Sequence, residues 1–356
     1  MMKIAFVVNS ITDNGVTKVL SILLDHIDYD KYDVTVVLTR HRPRKRDLNQ
    51  RAEIIEAQQA QITGLRGKIS EILGIRKIVK REQFELVVVL GNFAAMYTLI
   101  ATSGLKVKKI ISERNDPNRE PAKKAYRKLR DMLYRSADVI VCQTTDASQY
   151  YRDIVSRRVV IANPINDSLP FFVGMRDKRV VNFCRIDGQK NLPLLIDSFQ
   201  EFVKAYPDYS LEIYGDGPLR QEIADYITNR NLTDKVQLKD FCLDIHRKIA
   251  AAGMFVSSSD FEGMSNSMLE ALAIGIPTIC TDCPIGGARE IIETGKNGIL
   301  VPIKDKAAMV QAMKRIANDP NFADKIAAGG SEIRKTLSAE TICNQWWELF
   351  EEQLKR

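Results

Sequence analysis

The chain of 356 residues holds only three histidines, His26, His41 and His246, and carries no GxSxG, Walker A or HExxH pattern. Those absences argue against a serine hydrolase, a P-loop NTPase and a zinc peptidase, whose chemistry depends on those residues at those spacings. A GxGxxG turn is missing after the first apolar run of either half, which counts against a dinucleotide-dependent oxidoreductase. Cysteine is sparse too. The six, at 142, 184, 242, 280, 283 and 343, sit mostly inside apolar runs, as buried reduced thiols do, and imply no disulfide framework. Cys280 and Cys283 form a CxxC with neither a second pair nor a nearby histidine, so no metal site is expected. The start, Met1-Met2-Lys3 before Ile4 to Val8, lacks the long apolar stretch and cleavage site of a signal peptide, and a cytoplasmic location is expected. One charge-free stretch, Leu86 to Leu105, has the length to cross a bilayer. Gly91-Asn92 divides it into a β-branched run and a helix-like run from Phe93, which predicts a buried strand, turn and helix instead.

What is present is a hydrophobic content of 45%, enough to bury a sizeable core in more than one domain. Short apolar runs alternate with amphipathic or charged segments: Ile4 to Val8, Val34 to Leu38, Leu86 to Leu90, Lys109 to Ser112, Val139 to Cys142 and Val159 to Ala162. After a loop-like stretch, Asn163 to Asp177, the rhythm resumes with Val180 to Phe183, Ser210 to Tyr214, Val236 to Leu238, Met254 to Ser257, Thr278 to Thr281 and Gly298 to Val301. This βαβα rhythm predicts an α/β protein of two domains, each a doubly wound parallel sheet. Residues 51 to 81 read as charged and helix-friendly, interrupted by Gly64, Gly67 and Gly74. Ala339 to Lys355 reads as a terminal amphipathic helix that packs Ile342, Trp346, Leu349, Phe350 and Leu354 on a core.

In such sheets ligands bind beyond the carboxyl ends of strands, which singles out four loops. Asn9 to Thr17 passes through Asn14-Gly15 and suits presentation of backbone N–H groups to an anion at a helix start. Cys184 to Asn191 offers Arg185 and Lys190 to a diphosphate, although two solvated surface charges fit the segment as well. Gly215-Asp216-Gly217-Pro218 allows close approach of a ligand or a neighbouring loop, or is a plain tight turn. The last, DFEGMSNSMLEALAIGIPT over residues 260–278, sets Glu262 and Glu270 eight positions apart. If a helix starts near Ser267, Ser267-x-x-Glu270 has capping-box spacing and Glu270 is structural. On a single helix the two carboxylates would stand about 12 Å apart, too far for a hydrolytic pair. The spacing suits a ligand laid across the helix start, with phosphates on the N–H groups of Met264 to Asn266 and hydroxyls on each carboxylate.

In order and separation these loops resemble the retaining family-4 glycosyltransferases of the GT-B fold, two Rossmann-like doubly wound parallel-sheet domains facing across a cleft. The similarity spans essentially the whole chain. It rests most on Phe261-Glu262-Gly263-Met264-Ser265 to Glu270-Ala271-Leu272-Ala273 with Gly275-Ile276-Pro277-Thr278. Arg185 with Lys190-Asn191, then Gly215-Asp216-Gly217-Pro218 and Asn163-Pro164, add to it. The resemblance implies an acceptor-binding domain over residues 1–165, a nucleotide-sugar-binding domain over 166–337 and a final helix, 338–356, packing back toward the first domain. It implies that Glu262, Arg185 and Lys190 are catalytic, the cations on the donor diphosphate and Glu262 on hydroxyls of the transferred sugar. Gly15, Gly215, Phe241, Gly263, Met264, Ser265, Asn266 and Glu270 would bind the donor, Glu270 through the ribose and Phe241 beside the base. No metal and no cofactor are implied. Retention would proceed without a protein nucleophile, the leaving phosphate oxygen taking the acceptor proton while the cations and the helix start steady its charge. Two positions depart from the pattern: many relatives carry Gly-Gly at Asn14-Gly15, and often a histidine where Arg114 stands. Arg114, with Asn115, is expected to contact the acceptor.

Charge is one-sided: residues 1–168 hold 29 Lys and Arg against 19 Asp and Glu, and residues 169–356 hold 23 against 26. The first half therefore suits a negatively charged partner. Residues 118–135 form a basic amphipathic segment, and Lys123, Lys124, Arg127, Lys128 and Arg130 are expected to meet an anionic inner membrane surface, a solvated face being the plainer reading. A second cluster is Arg40-His41-Arg42-Pro43-Arg44-Lys45-Arg46. Joined to the resemblance, this charge favours a polyprenyl-diphosphate-linked saccharide acceptor in bacterial surface-polysaccharide or glycan assembly, with UDP-Gal, UDP-GalNAc or UDP-GlcNAc as donor and a peripheral place at the membrane. A nucleic-acid-binding protein is the rival reading of the charge, but no nucleic-acid module is visible, and no nucleic acid is expected as a partner.

Overall fold

A run such as Leu86-Val87-Val88-Val89-Leu90 has no polar alternation, so it is stable only where both faces of its sheet are covered, and all five residues are buried. The computed structural model describes residues 1–12, 14–41, 47–58, 62–242 and 244–355, so residues 42–46 of the second basic cluster lie outside the described residues. The chain divides into two units, Met1–Pro164 with Ala339–Arg356, and Ile165–Ser338.

Among the described residues the first unit holds seven parallel strands: β1 (Met2–Val8), β2 (Tyr32–Leu38), β3 (Glu53–Glu56), β4 (Leu86–Leu90), β5 (Lys108–Ser112), β6 (Val139–Cys142) and β7 (Arg158–Val160), in the order β3-β2-β1-β4-β5-β6-β7. Ile4 lies beside Val34 on one side and Leu86 on the other. Helices α1 (Gly15–His26), α2 (Gly64–Glu82), α3 (Asn92–Ala101), α4 (Lys124–Tyr134) and α5 (Thr145–Tyr150) link the strands. The described residues of the second unit form six: β8 (Arg179–Phe183), β9 (Ser210–Tyr214), β10 (Val236–Lys239), β11 (Met254–Ser257), β12 (Thr278–Thr281) and β13 (Ile299–Val301), ordered β10-β9-β8-β11-β12-β13 and again parallel. Its helices are α6 (Leu192–Ala205), α7 (Arg220–Asn229), α8 (Ile245–Ile249), α9 (Asn266–Ile274), α10 (Lys306–Asn318), α11 (Pro320–Ser331) and α12 (Ile333–Thr336).

The last helix, α13 (Ala339–Leu354), belongs to the first unit. Its Trp346 and Phe350 are fully buried, with the Phe350 ring 6.0 Å from Phe6 and 6.5 Å from Tyr32. The charge-free stretch is β4 and α3, and among the described residues no helix is long and apolar enough to cross a membrane.

Two expectations need correction. Residues 51 to 81 hold a strand as well as a helix: β3 is a half-exposed edge strand, and α2 continues through Gly67 and Gly74. Those glycines lie under the carbonyls of Ile62 and Ala57, where a Cβ would come within 2.2 and 2.0 Å, so they admit a neighbouring backbone rather than end the helix. Arg130 is no membrane contact, because its side chain is wholly buried. It donates to the Pro117 carbonyl at 2.9 Å and the Tyr150 hydroxyl at 2.8 Å, pairs with Asp131 and lies over the Tyr134, Tyr150 and Tyr151 rings. Two helical positions, about 200°, separate it from the exposed Lys128 and turn it to the opposite side of α4. Lys123 and Lys124 are exposed too, whereas Arg127 is half-buried and donates to the Pro121 and Ala122 carbonyls.

Candidate functional site

β8 and β11 are neighbours, and the chain leaves them toward opposite edges of the second sheet, β8 for β9 and β11 for β12. The loops that follow them meet at such a switch point, where open α/β sheets bind ligands. Asp260 N–H donates to the Gln189 carbonyl at 2.9 Å, Asn191 Nδ2 to Asp260 at 2.8 Å and Ser258 Oγ to the Lys190 carbonyl at 2.8 Å. Held in that frame, the Glu262 carboxylate accepts from the Lys190 ammonium, from Gln189 Nε2 at 3.0 Å and from the Ser259 hydroxyl at 2.9 Å. The Lys190 and Glu262 side chains are only 17% and 15% exposed. Burial alone would lower the lysine pKa, yet the adjacent carboxylate outweighs it and holds the ammonium above its ordinary value. Arg185, on the same loop, points to solvent with Asp187 at 3.6 Å.

A neighbouring loop lies against the Gly215 to Pro218 turn. Gly215 has φ +151°, and a Cβ there would stand 1.9 Å from the Cys184 carbonyl oxygen. Ile186 N–H donates to the Asp216 carbonyl at 2.9 Å, fastening this turn to the Arg185 loop.

The two glutamates do not share a helix. Glu262 precedes α9, and Glu270 is its fifth residue. Ser265 caps this helix, its hydroxyl oxygen 3.5 Å from the Met268 N–H, so the Ser267 capping box does not form and Glu270 is no capping residue. Its carboxylate meets His246 Nε2 at 2.8 Å, and the His246 ring stands edge-on to Phe183 at 6.1 Å. His246 leaves no local signal in the sequence, since it lies outside all four loops and reaches Glu270 only through the placement of α8. Gly263 and Met264 are buried, Asn266 opens α9, and Phe241 is half-exposed. A small pocket beside Glu262 is lined by Ser259, Gly263, Ser265, Met268 and Cys283. Cys280 and Cys283 are buried free thiols, burial pushing Cys283 up to about 12.

The structure puts Gly15, Arg114, Asn115, Lys123 and the α4 cations in the first unit and the other expected site residues in the second. Gly15 opens α1, where Asn14 Oδ1 accepts from Thr17 N–H at 2.9 Å. Arg114 and Asn115 follow β5, and their N–H groups donate to Glu113 at 3.0 and 3.2 Å. Both terminal nitrogens of the Arg114 guanidinium are buried and find no hydrogen-bond partner among the described residues. Burial pushes its pKa down to about 10, with Glu113 pulling the other way.

Chemically, the second unit offers an ammonium–carboxylate pair, the positive end of a nine-residue helix and a second carboxylate farther along it. Such a set can receive a ligand carrying both phosphates and hydroxyls. Among the described residues no group of three or more His, Cys, Asp or Glu is placed to hold a metal ion.

Comparison with known proteins follows the same division. Residues 172–332 match the family model described as glycosyl transferases group 1, and residues 14–164 match the glycosyl transferase 4-like domain. Over 361 residues and 99% of each chain, the sequence is 23% identical to a Campylobacter jejuni GalNAc-alpha-(1->4)-GalNAc-alpha-(1->3)-diNAcBac-PP-undecaprenol alpha-1,4-N-acetyl-D-galactosaminyltransferase. It is 33% identical, over 41% of this chain and 39% of the other, to N-acetylgalactosamine-N,N'-diacetylbacillosaminyl-diphospho-undecaprenol 4-alpha-N-acetylgalactosaminyltransferase of the same organism. TarM of S. aureus, solved as a mutant with fondaparinux, alpha-GlcNAc-glycerol and UDP, superposes with a TM-score of 0.83 at 14% identity, over 98% of this chain and 100% of its own. Anabaena HepE, solved with UDP and glucose, gives 0.82 at 18% identity, over 99% and 100%. At these identities the likeness is one of fold, and that fold is GT-B.

Proposed function

The chain belongs to the group 1 glycosyl transferases, with a glycosyl transferase 4-like domain before the group 1 domain, and from that premise we propose a metal-independent retaining hexosyltransferase. It moves a hexose or N-acetylhexosamine from UDP-Gal, UDP-GalNAc or UDP-GlcNAc to a polyprenyl-diphosphate-linked saccharide in cell-surface polysaccharide or glycan assembly. Two of the relatives carry undecaprenol in their names, and solved structures of the same fold hold UDP. In this reading the second unit binds the donor and the first unit the acceptor, Arg114 and Asn115 among its contacts. The enzyme works in the cytoplasm, peripheral to the inner face of the membrane.

The observation that carries the proposal is the Lys190–Glu262 pair, fixed by Gln189 and Ser259 beside the start of α9. Lys190 and Arg185, with the N–H groups of Gly263 to Asn266, gather the charge that develops on the leaving diphosphate. Glu262 takes hydroxyls of the transferred sugar, and Glu270 those of the ribose. The bond from the anomeric carbon to the phosphate oxygen breaks as the acceptor oxygen bonds to the same face. The acceptor proton passes to the departing phosphate oxygen, so no side chain acts as base. The test is transfer from each UDP-sugar to a polyprenyl-diphosphate-linked saccharide in EDTA, with the new linkage assigned by NMR. An α-linked product from one donor is expected; a β-linked product, or loss of turnover in EDTA, contradicts the mechanism.

A further inference from the structure

Seven of the thirteen large apolar side chains exposed among the described residues lie in one part of the first unit, on α2, α3 and α4 and at the approach to α2. On α2, Leu65, Ile69 and Leu73 are 73%, 48% and 60% exposed. They recur every fourth residue, on the side of the helix opposite the buried Gly67, Glu71 and Ile75. On α4, Leu129 and Met132 are 37% and 59% exposed, on a helix whose buried face carries Arg130 and Tyr134. The two helices flank α3, which exposes Ile100, and Lys68 of α2 reaches the Tyr126 hydroxyl of α4 at 3.1 Å. They form one outward layer.

Its charge is of one sign. The carboxylates of α2 and α4 are all engaged: Glu71 is buried against Arg40 and Thr39, Glu82 pairs with Arg81 and Asp131 with Arg130. Exposed cations remain around the apolar stripes, among them Arg66, Lys77 and Lys80 on α2 and Lys124 and Lys128 on α4. We infer that this α2–α3–α4 layer docks on an anionic lipid bilayer, Leu65, Ile69, Leu73 and Met132 entering the headgroup–acyl boundary while the cations meet lipid phosphates. Apolar side chains ringed by cations suit that boundary, since burial and charge attraction then act together. The inference rests on the reading of a lipid-linked acceptor and adds α2 as the main inserting element.

The test is cosedimentation of the full chain with vesicles of phosphatidylcholine alone or mixed with phosphatidylglycerol. Binding to the mixed vesicles only is expected. The triple variant Leu65→Ser/Ile69→Ser/Leu73→Ser should lower that partition by about tenfold or more, and Lys124→Gln/Lys128→Gln by a similar factor. UDP titration on the same samples reports folding and donor binding and should be unchanged. Mixed-vesicle binding that survives the triple variant overturns the proposal. So does a concentration-dependent dimer, lost in that variant, from protein that binds no vesicle, because the face then serves a second copy. Transfer to a detergent-solubilised lipid-linked acceptor separates the two claims. Turnover without vesicle binding removes only the docking face, whereas vesicle binding without UDP binding removes only the enzymatic reading.

Discussion

Lys190 is a largely buried cation whose charge is upheld chiefly by Glu262, with Cys184 and Asp187 adding to it, and that makes its behaviour predictable. In Glu262→Ala the carboxylate that raises the lysine pKa is gone and burial, which lowers it, remains. The ammonium then loses its proton at a lower pH than in the native protein. UDP affinity of Glu262→Ala should therefore stay within about threefold of native at pH 7 and fall earlier as pH rises, while transfer drops by about a thousandfold. Lys190→Ala should weaken UDP binding by about ten- to a hundredfold at every pH, as loss of a charge-assisted hydrogen bond does. Calorimetric titration of both variants between pH 7 and 10 separates these outcomes; equal loss at neutral pH contradicts the division of roles. His246 is the second residue-scale case. If its hydrogen bond orients Glu270 toward the ribose, His246→Ala raises donor KM about tenfold with kcat nearly unchanged, and His246→Gln, a neutral donor, restores most of it. A matching fall in kcat would mark a merely structural histidine.

At the scale of elements, the start of α9 is shaped by backbone packing as much as by its glutamates. A Cβ on Gly287 would stand 1.7 Å from the Gly263 carbonyl oxygen, between the two glutamates. Gly287→Ala should displace that loop, destabilise the second unit by about 1–3 kcal/mol and abolish UDP binding; wild-type affinity would show that the loop has room to move. The core strands were legible because β-branched runs buried on both faces leave a strong signal, as β4, β6 and β12 do. Strand β3, Glu-Ile-Ile-Glu at a sheet edge, is short and half-exposed and carries little of it. The burial of Arg130 was hidden for a related reason: a run of cations fixes composition, while only helix phase and the Tyr134, Tyr150 and Tyr151 rings decide which cation turns inward.

At the scale of the molecule, the chain closes its first unit with its last helix, so residues more than 300 positions apart share one core. Phe350→Ala removes the ring packed on Phe6 and Tyr32 and should cost about 3–5 kcal/mol in the first unit. In calorimetry the transition of that unit should shift down while UDP titration stays native; a shift of under about 1 kcal/mol would contradict the core role of α13. The candidate site was half legible by the same logic. Lys190 and Glu262 each stand out in their own loops, and that they touch follows from the switch between β8 and β11, which no local spacing records. The central claim, a nucleotide-sugar site in the second unit, is tested most directly by titrating the protein with UDP, GDP and NAD in the presence of EDTA. Binding of UDP alone, reduced in Lys190→Ala, is the predicted result; equal binding of all three, or none of UDP without added metal, would contradict it.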